Sequence, residues 1–306
     1  MVRIDMPHSR TRDVEENDLR AAIFANPDDD APRRVYADWL LERGDPRGEF
    51  ILIQCMLGRT LSARGPLHRN HPAGRTVRPV AADPAAIPRL ELREQALLRE
   101  HQKKWILPIR KYVNSWFWER GFVSRVDVNI KKFVAHAGAI LDFTPLVAVY
   151  AMGCTPQGVR QFAELPRVGS LRSLTFCMQR IGAREAEIFR SSRFANLREL
   201  TLQQNPLGDD AVRVLAGSTT LSALRMLDLS FSEDKITSRG VESLAAAEFF
   251  PRLTHLDLNC SLANRTAIEP ILKRGASLQV LALGAQRLTK QEAAARAARG
   301  LNEPHD

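Results

Sequence analysis

The sequence predicts an α/β fold: a solenoid of repeated strand, turn and helix units, with a curved parallel sheet inside and helices outside, behind a small all-helical domain. Three observations carry this. Five segments repeat one leucine spacing, namely Leu171 to Phe176, Leu197 to Leu202, Leu224 to Leu229, Leu253 to Leu258 and Leu278 to Leu283, with starts 26, 27, 29 and 25 residues apart. Alternation within each segment marks a strand whose leucines share one face, and a fixed period in this range marks a stacked array. Between the strands, and again in the first 58 residues, apolar positions fall three and four apart, as amphipathic helices require.

The elements follow in chain order. Glu15 to Ala25 places Leu19, Ala22 and Ile23 on one face, and Asn26-Pro27 ends that helix. Asp28, Asp29 and Asp30 before Ala31-Pro32 announce a second helix, an acidic cap followed by an early proline. Its stripe of Val35, Trp39 and either Tyr36 or Leu40 is expected to pack on the first helix, and Gly44-Asp45-Pro46 breaks it before a third helix ending near Gly58. Residues 13–58 thus form the helical head. Residues 59–88 lose all periodicity and carry several prolines and glycines, the pattern of a loop or linker. Residues 89–121 regain helical spacing through Leu90, Leu97, Leu98 and Trp105 and gather Tyr112, Trp116, Phe117 and Trp118, so they are expected to form a helical aromatic cap over the end of the array. Phe122 to Val128 and Leu146 to Tyr150 read as two weaker strands, which makes about seven units over residues 122–300. Asp209 and Thr237 are the expected N-caps of two outer helices.

The Leu207-Gly-Asp-Asp-Ala and Ile236-Thr-Ser-Arg-Gly segments and the unit lengths resemble the ribonuclease-inhibitor-like subclass of leucine-rich repeats. The head resembles a repeat-companion domain found in many bacterial proteins, especially those of planctomycetes and myxobacteria. That resemblance is carried by Asn26-Pro-Asp-Asp-Asp30, by Arg33-Arg-Val-Tyr-Ala-Asp-Trp-Leu40 and by Glu42-Arg-Gly-Asp-Pro-Arg-Gly-Glu-Phe50. It implies a bacterial repeat protein and brings no activity to assign to particular residues. Asn205 stands where such repeats place a turn asparagine, with Asn259 near the equivalent place, whereas Gln179 and Ser232 depart from it and Phe176 replaces a leucine.

Composition narrows the function. The chain has 306 residues, 44% of them apolar, and a formal charge of +9. Its longest apolar runs fall short of the roughly 18 residues that cross a bilayer. The first twenty residues are charged throughout, unlike a signal peptide, so a cytoplasmic protein without membrane association is expected. The four cysteines are widely spaced, without metal-ligand neighbours, and read as reduced thiols; neither a metal nor a cofactor is expected.

Period-2 alternation puts Glu199, Thr201, Met226, Asp228, His255 and Asp257 on the concave face, where Glu199, Asp228 and Asp257 are expected to form an acidic patch for a basic or amphipathic protein partner. His255 and Asp257 are two apart on one strand and so about 6 to 7 Å apart, too far for a direct catalytic hydrogen bond. With no identifiable oxyanion hole or phosphate loop, the chain reads as a non-enzymatic scaffold. Asp38, which can pair with Arg34, together with Asp45 and Glu49, expected near Arg33 or Arg47, forms an acidic edge of the head that is a second docking candidate. Residues 1 to 58 hold 8 basic and 12 acidic side chains, and residues 59 to 111 hold 12 and 4. Within the basic stretch Arg59, Arg64, Arg69, Arg75 and Arg78 follow one another with no acid between them. Nucleic-acid binding by this 59–111 segment is therefore the alternative function. A latch in which the basic loop lies on the acidic head or on the strand acids is a third reading.

Overall fold

The strand leucines build one continuous column. Val126, Val149, Leu174, Leu200, Leu227, Leu256 and Leu281 are register partners from strand to strand, and all are buried. Burying each stabilises the fold by about 1.5–3 kcal/mol. The computed structural model describes residues 7–58, 82–232, 236–259, 265–283 and 286–289. Arg59, Arg64, Arg69, Arg75 and Arg78, most of the expected linker and the end of the last expected unit lie outside them.

Among the described residues nine strands form a single sheet in chain order: β1 (Ser115–Glu119), β2 (Phe122–Asn129), β3 (Ala148–Met152), β4 (Ser173–Phe176), β5 (Glu199–Thr201), β6 (Met226–Asp228), β7 (His255–Leu258), β8 (Val280–Leu283) and β9 (Gln286–Thr289). From β2 to β8 every pairing is parallel; β1 and β9 add antiparallel edges. A helix follows each of β2 to β7: α5 (Ile130–Phe143), α6 (Pro156–Glu164), α7 (Ala183–Ala186), α8 (Gly208–Ala216), α9 (Ser238–Ala246) and α10 (Arg265–Arg274). Helix residues such as Val159, Phe162, Val212, Leu215, Val241 and Leu244 share one core with the strand leucines, so these helices cover one face of the sheet. Phe176 departs from leucine because a ring is needed there: it meets Phe162 edge-on at 5.8 Å, and Phe162 leans on Phe133 at 5.4 Å.

The head consists of α1 (Pro7–Ala25), α2 (Ala31–Leu41) and α3 (Pro46–Leu57). In α2 the buried side is Arg33, Tyr36, Ala37 and Leu40. Val35, expected in the apolar stripe, is 56% exposed, because the helix turns the 33/36/37/40 face inward. Gly48 lets α2 and α3 touch: a Cβ there would lie 2.4 Å from the Ala37 carbonyl oxygen.

The expected helical cap over residues 89–121 is corrected. Only α4 (Ile87–Trp105) is a long helix; the aromatic run Trp116-Phe-Trp118 lies on β1, hairpinned to β2. Pairing with β2 places Ser115 opposite Asp127 and Trp116 opposite Val126, so alternation along a strand replaces a helical stripe. At the turn Arg120 and Gly121 both take left-handed backbone, with φ of 51° and 81°, as a tight hairpin demands. Gly121 also faces Ile51 of α3 too closely for any side chain, with a Cβ falling 2.1 Å from it.

The head's own core therefore continues into the sheet. Phe122 packs with Ile23, Tyr36, Leu40 and Ile51. Gln54 bridges the parts: its Oε1 accepts from the Gly121 amide at 2.7 Å and its Nε2 donates to Glu94 at 2.8 Å. No helix among the described residues is long and apolar enough to cross a membrane.

Candidate interaction face

Opposite the helices, the residues between the leucines line up in rows across the strands. One row runs Ala148, Ser173, Glu199, Met226, His255 and Val280, and the next runs Tyr150, Thr175, Thr201, Asp228, Asp257 and Ala282. Parallel pairing spaces neighbours by about 4.8 Å. The register corrects the expected acidic patch, because Glu199 belongs to the Met226 and His255 row while Asp228 and Asp257 form the other.

Burial corrects it further. Asp228 is 0% exposed and Asp257 4%, and Thr201 and Met226 are buried too. The two carboxylates build turns. Asp228 Oδ1 accepts from the Ser230 amide at 2.9 Å and from its hydroxyl at 2.6 Å, and Asp257 Oδ1 accepts from the Asn259 amide at 3.0 Å. An aspartate that accepts from the amide two residues on closes an Asx-type turn. Glu199 and His255 remain partly exposed. Thr254 Oγ1 lies 2.9 Å from His255 Nδ1. Ser230 pairs with Asp228, so the structure brings serine and aspartate together at one strand end.

At the first end of this face an ion pair is buried. Arg125 donates through Nε and Nη2 to Asp127 Oδ1 at 3.0 and 2.8 Å, Ser115 holds the other oxygen at 2.6 Å, and the guanidinium lies over the Phe117 ring. Tyr150 and Cys177 sit beside one another, and burial pushes the phenol up to about 12 and the thiol up as well.

The strand-end turns are stitched by a polar column that sequence reasoning recognised only at Asn205. Fully buried Asn205 accepts through Oδ1 from the Gln179 and Ile181 amides at 2.8 and 3.1 Å, and donates through Nδ2 to the carbonyls of Phe176, Leu202 and Gln203. Gln179 and Ser232, the equivalents one unit either side, do the same work with different chemistry. Gln179 Oε1 accepts from the Cys154 amide at 2.7 Å, while Ser232 Oγ donates to the Asn205 carbonyl at 3.0 Å and accepts from the Leu207 amide. Asn259 stands two places earlier in its unit, at the Gln203 position. Thr237 caps α9 as expected, but Asp209 lies inside the first turn of α8 and reaches to the next unit, accepting from the Thr237 amide and hydroxyl and the Gly240 amide.

Another row was missed altogether. Gly153, Met178, Gln204 and Phe231 occupy equivalent turn positions and all have positive φ, between 53° and 63°. Left-handed backbone costs a non-glycine residue roughly 1 kcal/mol, and a ladder of amide bonds to the next unit offsets it: Met178 to Gln203, Gln204 to Ser230 and Phe231 to Asn259. Met178 and Phe231 are nevertheless 63% and 46% exposed. Apolar side chains two places beyond the last residue of the repeated leucine segments Leu171 to Phe176 and Leu224 to Leu229, where turns are normally polar, were the available signal.

In the head, Asp38 is exposed, Asp45 caps α3 by accepting from the Arg47 amide at 2.8 Å, and Glu49 takes two bonds from Arg93 of α4 at 2.7 and 2.6 Å. Asp45 thus meets the expected Arg47, whose amide it accepts from and whose guanidinium it stabilises, whereas the expectation for Glu49 is corrected, since it reaches across to Arg93 of α4. Arg93 holds the Glu49 carboxyl below its usual range.

No protein-family model matches the chain, and no curated protein matches it.

Proposed function

We propose that this chain is a cytoplasmic leucine-rich-repeat solenoid with a repeat-companion head, acting as a non-enzymatic scaffold that holds a protein partner. The observation that carries the reading is the register: seven parallel strands align their non-leucine residues as straight rows on the side of the sheet away from the leucine column, and Glu199 and His255 on those rows remain partly exposed. Internal hydrogen bonds already order that face, so a partner meets it without a large entropic cost. Glu199, His255 and Gln203 offer partly exposed polar contacts, and Met178 and Phe231 add apolar ones at the turns. Thr201, Met226, Asp228 and Asp257 are buried alongside Glu199 and His255 in the same two rows. The described thiols fit a reduced, structural role, since burial pushes Cys55 to about 11 and Cys154 to about 12.

The test is an affinity pull-down with the full chain from native lysate, at low and high salt and after nuclease, comparing wild type with Glu199→Ala/His255→Ala and with Met178→Ser/Phe231→Ser. A specific protein should survive nuclease and fall about tenfold with at least one double variant. Loss of all bound material after nuclease moves the function to nucleic acid; equal retention by both folded variants removes this face from the proposal.

A further inference from the structure

The residue just before each of three consecutive strands is an arginine. Arg172, Arg198 and Arg225 are linked in a ladder, each amide donating to the carbonyl of the residue one unit back: Arg172 to Val147, Arg198 to Arg172, Arg225 to Arg198. Strand spacing of about 4.8 Å sets their backbones so that the row spans roughly 10 Å. The row lies at the opposite end of the strands from the Met178 and Phe231 turns.

The head already places an acid on it. Asp28, in the turn between α1 and α2, pairs with Arg172, with Arg198 at 3.5 Å and with the buried Arg120 of the hairpin turn at 3.8 Å. Arg120 also meets Asp30 at 3.5 Å and Glu119 at 3.3 Å. Buried Arg33 adjoins the same group, held down to about 10 by burial and by Arg120. Four guanidiniums, those of Arg33, Arg120, Arg172 and Arg198, thus gather around three carboxylates, with Arg225 next in the row. Arg172 and Arg198 repel one another, and burial with that repulsion lowers the Arg172 pKa. Arg225 turns its Nη1 to the Ala223 and Leu224 carbonyls, 3.2 and 2.9 Å away, and is exposed. The edge therefore carries excess positive charge in a fixed row, and Asp28 itself is exposed, a carboxylate that solvent and a competitor can reach.

We propose that the Arg172, Arg198 and Arg225 row docks an acidic, extended peptide segment of a partner protein, and that Asp28 occupies part of this site in the free chain. In an extended peptide, alternate side chains share a face at about 6.8 Å, so two or three alternating carboxylates match a row of this length within the reach of arginine side chains. Arginine forks suit carboxylates in two-point contact. A single-stranded nucleic acid is the less suited occupant. Its sites combine positive charge with stacking aromatics, and among the described residues the exposed aromatic, Phe231, sits at the other end of the strands.

The inference rests on the protein-binding reading but uses a different surface, and its test separates the two. Fluorescence anisotropy with the full chain would measure binding of a labelled ten-residue peptide of alternating Glu and Ser, with the matching Lys and Ser peptide and a labelled oligothymidine as comparisons. Asp28→Asn removes the internal competitor and should tighten the Glu peptide about threefold or more, while Asp29→Asn, which alters the acid that accepts from the Ala31 amide, should leave it unchanged. Arg198→Glu/Arg225→Glu should weaken binding about tenfold or more and preserve the circular dichroism spectrum. Unchanged or weaker binding by Asp28→Asn overturns the proposal. So does an oligothymidine that binds more tightly than the Glu peptide and is lost with the same arginines. If the arginine variants bind the peptide normally while the Met178/Phe231 variant loses its protein partner, this proposal fails and the scaffold reading stands.

Discussion

Replacing Asn205 by alanine tests whether polar stitching, and not leucine burial alone, sets the stability of the array. The substitution leaves the Gln179 and Ile181 amides without their acceptor. The Ile181 bond is buried, so its orphaned donor costs about 1–3 kcal/mol; the Gln179 amide is only partly buried and regains some solvation, which brings its cost to roughly 0.5–1 kcal/mol. The three carbonyls that lose an Nδ2 donor weigh less, since a carbonyl has two lone pairs and that of Gln203 still accepts from the Met178 amide at 3.1 Å. The total is about 2–4 kcal/mol, comparable to deleting a core leucine although the buried group removed is polar. Urea unfolding followed by circular dichroism would read it as a lowered midpoint at constant slope. Hydrogen exchange should quicken most at Gln179 and Ile181. A loss under about 1 kcal/mol, or unchanged protection at both amides, refutes the reasoning.

Other changes probe other joints. Gln54→Leu should cost about 1–3 kcal/mol in thermal or urea unfolding, because the Gly121 amide and Glu94 both lose a buried partner. Leu256→Ala should cost about 2–5 kcal/mol by opening a cavity in the central column, and an effect below 1 kcal/mol would deny that the column is a packed core. Asp228→Ala/Asp257→Ala should lower stability as well as affinity, contrary to what exposed acids would do, and an unfolding midpoint equal to wild type would return them to the surface. The Glu49 carboxyl has a depressed folded-state pKa because it accepts from Arg93, so its contribution is complete above the unfolded glutamate value of about 4.3 and fades as pH falls through the lower folded value. The stability advantage of wild type over Glu49→Gln should therefore be flat near neutrality and shrink in acid; growth of the advantage on acidification contradicts the pairing.

Strand positions, their leucine column and the helices between them were legible because they depend on local periodicity: leucines at every second residue of a strand must face one way whatever surrounds them. Thr237 as a cap was legible for the same reason, since a cap acts within its own turn. Positions whose role depends on a neighbouring unit were not. Asp209 looks like a cap in sequence and in fact serves the helix one unit on; Gln179 and Ser232 look like failed asparagines and in fact bond across to the preceding turn. Trp116 to Trp118 carry helical and strand signals alike, and only pairing with β2, which satisfies their backbone groups, decides for strand. Whether a residue between leucines is a contact or a support depends on what its strand neighbours shield, and so Asp228 and Asp257 became buried turn-formers while Glu199 and His255 stayed partly open. Alternation along one strand determined which side each residue faces; stacking of separate strands, which brings together groups 25 to 30 residues apart in the chain, decided what each of them touches.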